Sequence, residues 1–254
     1  MKLNGNTMLI TGGGSGIGEA LAKRFHDLGN KVIVAGRRIE ALERACAGRP
    51  NMSAIRLDVE SAGALQDLGE RVRAEHPELN VLINNAGIMR YETIETRRDL
   101  ADAEQQITTN LLGPIRLIDG LVDHLVRQPD AAIVNVTSGL AFVPLVATAT
   151  YSATKAALHS YTISLREALK GRVEVIELAP PAVQTDLTPG QREAKGYLPL
   201  DAFIDEVMTL FEQQPTPSEI LVEAVKFLRN AEAESRVEAT VAQMSEFVRQ
   251  SRAN

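Results

Sequence analysis

Residues 8–25 read MLITGGGSGIGEALAKRF and carry the clearest indication of the fold in this sequence. Its first residues, Met8–Thr11, form an apolar run typical of a buried strand, and a glycine-rich turn then leads into residues with helical spacing. Glycines let the backbone turn sharply and approach a pyrophosphate, which the free amide groups at a helix N-terminus stabilise. Such a turn can also be a plain connector. Its place between the first strand and the first helix predicts a dinucleotide-phosphate site.

The alternation of strands and helices continues along the chain. Helical spacing is found at Gly18–Leu28, Leu65–Glu75 and Ala156–Leu169. Further strands are predicted at Lys31–Ala35, Ser53–Leu57, Val81–Ile83, Ala132–Val136 and Val173–Leu178. These strands are almost continuously apolar, as expected where helices cover both faces of a parallel sheet.

We therefore predict one α/β domain over residues 1–254, a Rossmann-type three-layer α/β/α sandwich with a central parallel sheet. A loop with a small helical excursion is expected at about residues 186–215, after the last predicted strand. The tail from Glu234 onward is either a strand or a helix. The spacing of its apolar residues favours a helix.

The composition is that of a globular, soluble protein. The 254 residues are 44% hydrophobic and 24% charged, with a formal net charge of −6. This acidic balance argues against a nucleic-acid partner, which requires clustered Lys and Arg. The single cysteine, Cys46, cannot form an internal disulfide, and only a three-residue apolar run comes before the glycine loop, so no signal peptide or membrane span is expected. We expect a cytoplasmic protein.

Tyr151 is the only one of the four tyrosines with a lysine, Lys155, four residues later. Residues four apart lie on one face of a helix, and a cation within ~4–6 Å lowers the pKa of a phenol by ~1–3 units. Lys155 is therefore expected to lower the pKa of Tyr151 and fit it for proton transfer. Ser138, which ends the fifth strand, can polarise a carbonyl. Alone, the pair could be an exposed helical pair. The absence of Gly-x-Ser-x-Gly argues against a hydrolase.

The spacing Gly12-x-x-x-Gly16-x-Gly18 resembles that of the short-chain dehydrogenase/reductase family rather than Gly-x-Gly-x-x-Gly. The turn Asn84-Asn85-Ala86-Gly87 resembles the family's NNAG motif. The resemblance covers roughly residues 5–187. Residues 137–142 and 179–181 are similar to the DltE-like branch of bacterial oxidoreductases.

The resemblance implies roles for individual residues. Asn110, Ser138, Tyr151 and Lys155 match the family's catalytic tetrad, in which the asparagine distorts its helix and holds a water linked to the lysine. The cofactor is expected to contact Gly12, Gly14, Ser15, Gly16, Ile17, Gly18, Arg37, Arg38, Asp58, Val59, Asn85, Ala86, Gly87, Tyr151, Lys155, Pro180, Val183 and Thr185. Of these, Asp58 would contact the adenine amino group and Thr185 the nicotinamide carboxamide. Pro181 replaces a glycine of the family pattern.

The end of the second strand bears on the choice of cofactor. An NAD-selective enzyme would carry an acid there, whereas this chain has Gly36 followed by Arg37 and Arg38. Guanidinium groups bind a 2′-phosphate through paired, charge-assisted hydrogen bonds. They could also be two solvated arginines. We predict a preference for NADP(H), with Arg37 the better candidate, and keep NAD(H) as the alternative.

These patterns predict an NADP(H)-dependent oxidoreductase that moves a hydride between nicotinamide and a carbonyl or secondary alcohol, with Tyr151 as general acid and base. A catalytically silent NAD(P) sensor and an isomerase or lyase with transient redox are the alternatives. His26, His76, His124 and His159 show no metal-like spacing, so no metal site is predicted. The resemblance implies a homodimer or homotetramer paired through the helices of Asn110 and Tyr151.

The substrate is expected to be a small or medium-sized, largely uncharged carbonyl compound or alcohol. This expectation comes from a mostly apolar pocket wall, predicted from Met89, Tyr91, Leu140, Phe142 and Leu145. Arg90 or Arg192 could instead anchor a carboxylate.

Overall fold

The computed structural model describes residues 1–253, with side chains at all of them except residues 66 and 251–253. Within this range a seven-stranded parallel sheet has the order β3-β2-β1-β4-β5-β6-β7. Its strands are β1 (Thr7–Thr11), β2 (Lys31–Gly36), β3 (Met52–Arg56), β4 (Leu79–Asn84), β5 (Ala132–Val136), β6 (Glu174–Leu178) and β7 (Glu219–Ile220). The order reverses between β1 and β4, which is where doubly wound folds bind their ligands.

The helices run between and after the strands. They are α1 (Gly16–Asp27), α2 (Ile39–Cys46), α3 (Ala62–Glu75), α4 (Ala101–Ile107), α5 (Gly113–Leu125), α6 (Ala149–Ala168), α7 (Leu200–Phe211), α8 (Glu223–Arg229) and α9 (Val237–Ala253). A π-helical turn, Thr108–Leu112, joins α4 to α5. The segment between β6 and β7, which includes residues 186–215, contains α7, and α7 packs against α1.

Two hydrophobic cores lie on the two faces of the sheet. Successive strand residues point to opposite faces, so Met8 and Ile10 of β1 belong to the core with α1, α2 and α7, whereas Leu9 belongs to the core with α3 and α5. All five β1 residues are buried. The continuously apolar strands follow from this double burial.

The predicted strands and the three-layer sandwich are confirmed, with strand ends that differ by two residues at most. The tail forms the helix α9, as its spacing favoured. β7 was not predicted because it has only two residues. The helix predicted from residue 156 begins at Ala149, so Tyr151 and Lys155 lie in its first two turns.

Among the described residues, no helix combines the length and the apolar character that crossing a membrane requires.

Candidate active site

A crevice lies at the carboxyl ends of β1, β4, β5 and β6. Most of the predicted cofactor and catalytic residues line it: Gly12, Gly14, Ser15, Gly16, Ile17, Arg37, Arg38, Val59, Asn85, Ala86, Gly87, Ser138, Tyr151, Lys155, Pro180, Val183 and Thr185. Gly18, Asp58 and Asn110 do not line the crevice that the described residues form. Residues separated by more than 150 positions in the sequence therefore meet along one cleft.

The glycine loop between β1 and α1 depends on glycine at specific positions. Gly12 and Gly16 have φ values of +67° and +55°, which favour glycine. At Gly18 a Cβ atom would lie 2.3 Å from Asn85 Nδ2 and 2.5 Å from the Gly12 carbonyl oxygen. The tight approach of α1 to the loop therefore has no room for a side chain at Gly18.

Thr11 ties the glycine loop to the turn after β4. Its hydroxyl oxygen accepts hydrogen bonds from the backbone N–H groups of Asn85 and Ala86, both at 3.0 Å. The Asn85 side-chain amide donates to the Thr11 carbonyl oxygen at 2.9 Å. These bonds join the ends of the two strands that flank the reversal point and fix the floor of the crevice.

One end of the crevice carries both a cation and an acid. Arg37 Nη1 lies 3.3 Å from Glu60 Oε1, and this carboxylate also accepts a 2.7 Å hydrogen bond from the Thr109 hydroxyl. Asp58 accepts a 3.0 Å hydrogen bond from the Glu60 backbone N–H, while Ser61 caps α3. Asp58 therefore shapes the turn that presents Glu60, and Arg37 has an acidic neighbour that the sequence did not reveal.

At the other end, α6 presents Tyr151 and Lys155 to the end of β5. The Tyr151 side chain interacts with Ser138, which lowers the pKa of the phenol. Lys155 Nζ donates to the Val136 carbonyl oxygen at 2.8 Å and lies 5.7 Å from the centroid of the Tyr151 ring. Tyr151 is 6% exposed and Lys155 4% exposed. Three of the four predicted catalytic side chains therefore form one buried group.

The predicted lowering of the Tyr151 pKa is wrong. Burial raises the pKa of Tyr151 to about 12, and the interaction with Ser138 only partly opposes this. Burial also lowers the pKa of Lys155 to about 8. A poorly hydrated environment disfavours both charged forms. The lysine therefore does not offset the burial of the phenol.

Asn110 lies in the π-helical turn, so the helix distortion implied by the resemblance is present. Its side chain is fully buried and exchanges two hydrogen bonds with the backbone of Ile88, each 2.9 Å long. A Cβ atom at Gly87 would lie 3.3 Å from Asn110 Oδ1 and 3.7 Å from Lys155 Nζ. Asn110 thus approaches the lysine from behind the crevice wall.

The loop after β6 is held by a residue that sequence reasoning missed. The Gln191 side-chain amide donates to the Val183 carbonyl oxygen at 2.8 Å and to the Thr185 hydroxyl at 3.1 Å. These bonds keep Thr185 beside Gly16, where a Cβ atom on the glycine would lie 3.5 Å from Thr185 Cβ. No local motif marks Gln191, because its role depends on a loop that folds back on itself.

Glu92 was also missed. Its carboxylate accepts hydrogen bonds from the Thr150 backbone N–H and, at 2.8 Å, from the Thr150 hydroxyl, and it pairs with Arg98. Burial would raise the pKa of Glu92, but the bonds from Thr150 and Arg98 outweigh it and lower this pKa. Glu92 therefore caps the helix that carries Tyr151, from a loop 58 residues upstream.

His159, Glu177 and Glu219 lie together although their sequence spacing gave no sign of it. Their ligand atoms lie within 4.8 Å of one another. Each carboxylate already has a cationic or ionisable partner, since Glu177 pairs with His159 at 2.7 Å and Glu219 with Arg229 at 2.9 Å. We assign this cluster to ion pairing.

The predicted place of Phe142 in the substrate wall is wrong. Its ring packs edge-on against His159, with centroids 5.1 Å apart, and the Arg229 guanidinium lies 5.0 Å from the ring centroid. Ile88, Arg90 and Leu187 line the crevice at the tyrosine end. Of the two arginines considered as carboxylate anchors, Arg192 pairs with Asp186.

The doubly wound sheet and the glycine cradle at its reversal point define a Rossmann-type nucleotide-binding protein. The sequence profile of the short chain dehydrogenase family matches residues 6–196. The chain is 42% identical to the uncharacterized oxidoreductase DltE of Bacillus subtilis (strain 168) over 91% of this chain and 93% of that protein. The chain therefore belongs to the short-chain dehydrogenase family, as an oxidoreductase of the branch similar to DltE.

Solved structures give the same fold. A short chain dehydrogenase from Burkholderia cenocepacia J2315 in complex with NADP superposes with a TM-score of 0.81 at 24% identity, covering 96% of this chain and 99% of that one. The closed form of a serine dehydrogenase complexed with NADP+ gives a TM-score of 0.74 at 26% identity, covering 84% and 92%.

Proposed function

We propose that this protein is an NADP(H)-dependent oxidoreductase that interconverts a carbonyl and a secondary alcohol, with Tyr151 as the proton donor and acceptor. The observation that carries the proposal is the Tyr151 hydroxyl in contact with Ser138, with Lys155 behind it, at the end of the crevice opposite Arg37.

The residues of the crevice fit a nicotinamide dinucleotide. The loop after β1 keeps glycine where a side chain would collide with Asn85, and the Ser15 side chain makes no capping bond to α1. The first amide groups of α1 would bind the pyrophosphate. The Thr185 oxygen accepts from Gln191, which leaves its hydroxyl hydrogen to donate to the carboxamide. A bound nicotinamide would supply or accept the hydride.

The remaining chemistry belongs to this chain's own side chains. With a pKa of about 12, Tyr151 is protonated at neutral pH and can donate its proton to the oxygen of a carbonyl undergoing reduction. Ser138 would hydrogen-bond the same oxygen as negative charge develops on it. After Tyr151 has given up its proton, Lys155, with a pKa of about 8, can supply another proton to the phenol near neutral pH. Asn110 would hold the water that links Lys155 to solvent, as the family resemblance implies.

The test follows NADPH and NADH absorbance with a panel of ketones and aldehydes for wild type and Tyr151→Phe. Tyr161→Phe is the matched control, because Tyr161 lies on the same helix, partly buried against the core with α3 and α5. We expect turnover in wild type and Tyr161→Phe and its loss in Tyr151→Phe. Equal rates in all three proteins would refute the mechanism. Tight cofactor binding without turnover of any substrate would favour the catalytically silent sensor, and rearranged product without net cofactor use would favour the isomerase or lyase.

The preference for NADP(H) rests on Arg37 and Arg38, which are exposed at the crevice end where β2 finishes without an acid. Glu60 supports NAD(H) as the second candidate. Its carboxylate lines the crevice beside Arg37 and could accept a hydrogen bond from a ribose hydroxyl. The relative kcat/KM for NADPH and NADH decides between them.

We further propose a cytoplasmic homodimer or homotetramer that acts on a small molecule. Exposed apolar side chains near the predicted pairing helices support self-association: Ile107 is 42% exposed, Leu112 37% and Ile163 48%. Sedimentation equilibrium of wild type and of Ile163→Glu would test the assembly, and cell fractionation the location.

A further inference from the structure

Three consecutive residues at the end of β5 are each connected to one face of α6. The Val136 carbonyl accepts a hydrogen bond from Lys155, and the Ser138 side chain interacts with Tyr151. The residue between them, Thr137, has no direct partner of this kind on α6. It reaches the helix through Glu177, which is bonded to His159, four residues beyond Lys155 and so on the same face.

Glu177 lies on β6 and is fully buried. Its Oε1 accepts a 2.6 Å hydrogen bond from the Thr137 hydroxyl, and its Oε2 lies 2.7 Å from His159 Nδ1. A buried carboxylate is costly unless both oxygens are paired. Both oxygens of the Glu177 carboxylate are hydrogen-bonded, one to the end of β5 and the other to α6. The carboxylate therefore links the two elements that form the proposed reaction centre.

We propose that the chain Thr137–Glu177–His159 is a positioning device that holds the end of β5 against α6 and keeps Ser138 in contact with Tyr151. This inference rests on the proposed function. None of the three side chains acts on substrate in it. They set the geometry of two residues that do, and a displacement of about 1 Å at such residues can cost about 100-fold in rate.

Charged groups from every neighbouring element face His159. Glu177 on β6 and Glu219 on β7 favour its protonated form, and Arg229 on α8 opposes it. The hydrogen bond to Glu177 is the largest influence, and together they raise the pKa of His159. The paired imidazolium is therefore complete below the ordinary value of 6.5 and is lost as pH rises through the raised pKa. The positioning device should loosen in the same pH range.

The first test removes the hydrogen bond between Thr137 and Glu177. Thr137→Val removes the hydroxyl that bonds Glu177, whereas Thr137→Ser keeps it. We expect kcat to fall by about 10- to 100-fold in the valine variant with little change in the KM for NADPH, and to return to near the wild-type value in the serine variant. Circular dichroism and thermal unfolding verify that each variant is folded. Equal kcat values for the valine and serine variants would overturn the inference.

The second test uses the pH dependence of kcat. Relative to wild type, Glu177→Gln should move the fall in kcat toward pH 6.5, because His159 loses its anionic partner. His159→Gln should abolish that fall. His124→Gln is the control, since the buried His124 of α5 also forms a hydrogen bond, at 2.9 Å to the Leu79 carbonyl oxygen of β4. It should keep the wild-type profile, and identical profiles in all four proteins would contradict the inference.

Two further outcomes distinguish a failure of the positioning device from a failure of the proposed function. No turnover by wild type with any carbonyl overturns the proposed function, and with it the positioning role of the three side chains. Turnover that is lost in Tyr151→Phe but unchanged in Thr137→Val and Glu177→Gln overturns only the positioning device. Loss of turnover on EDTA treatment, restored by Zn²⁺, would replace the ion-pair assignment with a metal site.

Discussion

Gly18→Ala should destabilise the protein and lower its affinity for the cofactor, although alanine is a better helix former than glycine. Gly18 lies in α1, where alanine is favoured over glycine by about 1 kcal/mol. A Cβ atom would however lie 2.5 Å from the Gly12 carbonyl oxygen, 0.9 Å inside the 3.4 Å at which ordinary contact begins. The Asn85 amide, at 2.3 Å, would also have to move.

The size of the loss in stability follows from the steric cost of the added Cβ atom and from the helix propensity of alanine. Overpacking of this kind costs about 1–3 kcal/mol, and the upper end applies here because one of the two atoms belongs to the backbone at a positive φ. After the gain in helix propensity, a net loss of about 2 kcal/mol remains, which lowers the Tm of a chain of this size by about 4–8 °C. Displacement of Gly12 should also reduce NADPH affinity by at least about tenfold, or about 1.4 kcal/mol.

Gly63→Ala is the matched control. Gly63 lies in the first turn of α3, is exposed, and would place a Cβ atom with no neighbour within 4 Å. The same substitution there should leave NADPH affinity unchanged and stabilise the protein by about 0.5–1 kcal/mol. Urea unfolding and fluorescence titration with NADPH measure both properties. If Gly18→Ala matched Gly63→Ala in both, the steric account of the glycine loop would be refuted.

Three further predictions concern charge. Arg37→Ala should raise the KM for NADPH about tenfold and leave the KM for NADH unchanged. Glu60→Gln should lower the KM for NADPH, because it removes the acidic partner of Arg37. Equal effects of Arg37→Ala on the two cofactors would contradict the assignment of Arg37. Lys155 has a folded pKa of about 8 against an ordinary 10.5, so the unfolded chain binds more protons between pH 8 and 10, and the free energy of unfolding of wild type should rise there by about 2 kcal/mol relative to Lys155→Met. A parallel pH dependence of the two proteins in urea would count against this. Glu92→Gln should cost about 1.5–3 kcal/mol at pH 7, and this difference from wild type should shrink as pH falls below 4.5 and through the lowered pKa of Glu92; calorimetry at pH 7 and at a series of pH values below 4.5 measures it.

The fold was predictable because its determinants are local. Each buried strand is a short apolar run, and the strand ends could be read to within two residues. Helical spacing marks α6 only from residue 156, although the helix begins at Ala149, because Ala149–Lys155 contains few apolar residues and Glu92 caps the helix start from a distant loop. Long-range capping leaves no trace in the spacing of hydrophobic residues.

The parts of the candidate site that depend on backbone conformation could be predicted from sequence motifs. The pKa values of its side chains, which depend on burial, could not. Glycine at residues 12, 16 and 18 is demanded by φ and by close contact, so its spacing carries information. The direction of the Tyr151 pKa was wrong because the four-residue spacing reveals that Lys155 is near but not that both groups are buried. Burial acts on each group separately, and it disfavours the charge on which the expected interaction depends.

This burial bears on the direction of the proposed reaction. A phenol with a pKa of about 12 is a poor base at neutral pH, so the protein by itself prepares Tyr151 to give up a proton, as reduction of a carbonyl requires. Oxidation of an alcohol needs the phenolate, whose formation burial opposes. An oxidised nicotinamide ring is positively charged, and a positive charge in the crevice would favour the phenolate. The proton affinity of Tyr151 would then follow the redox state of the cofactor, and the same buried phenol would serve both directions of the reaction.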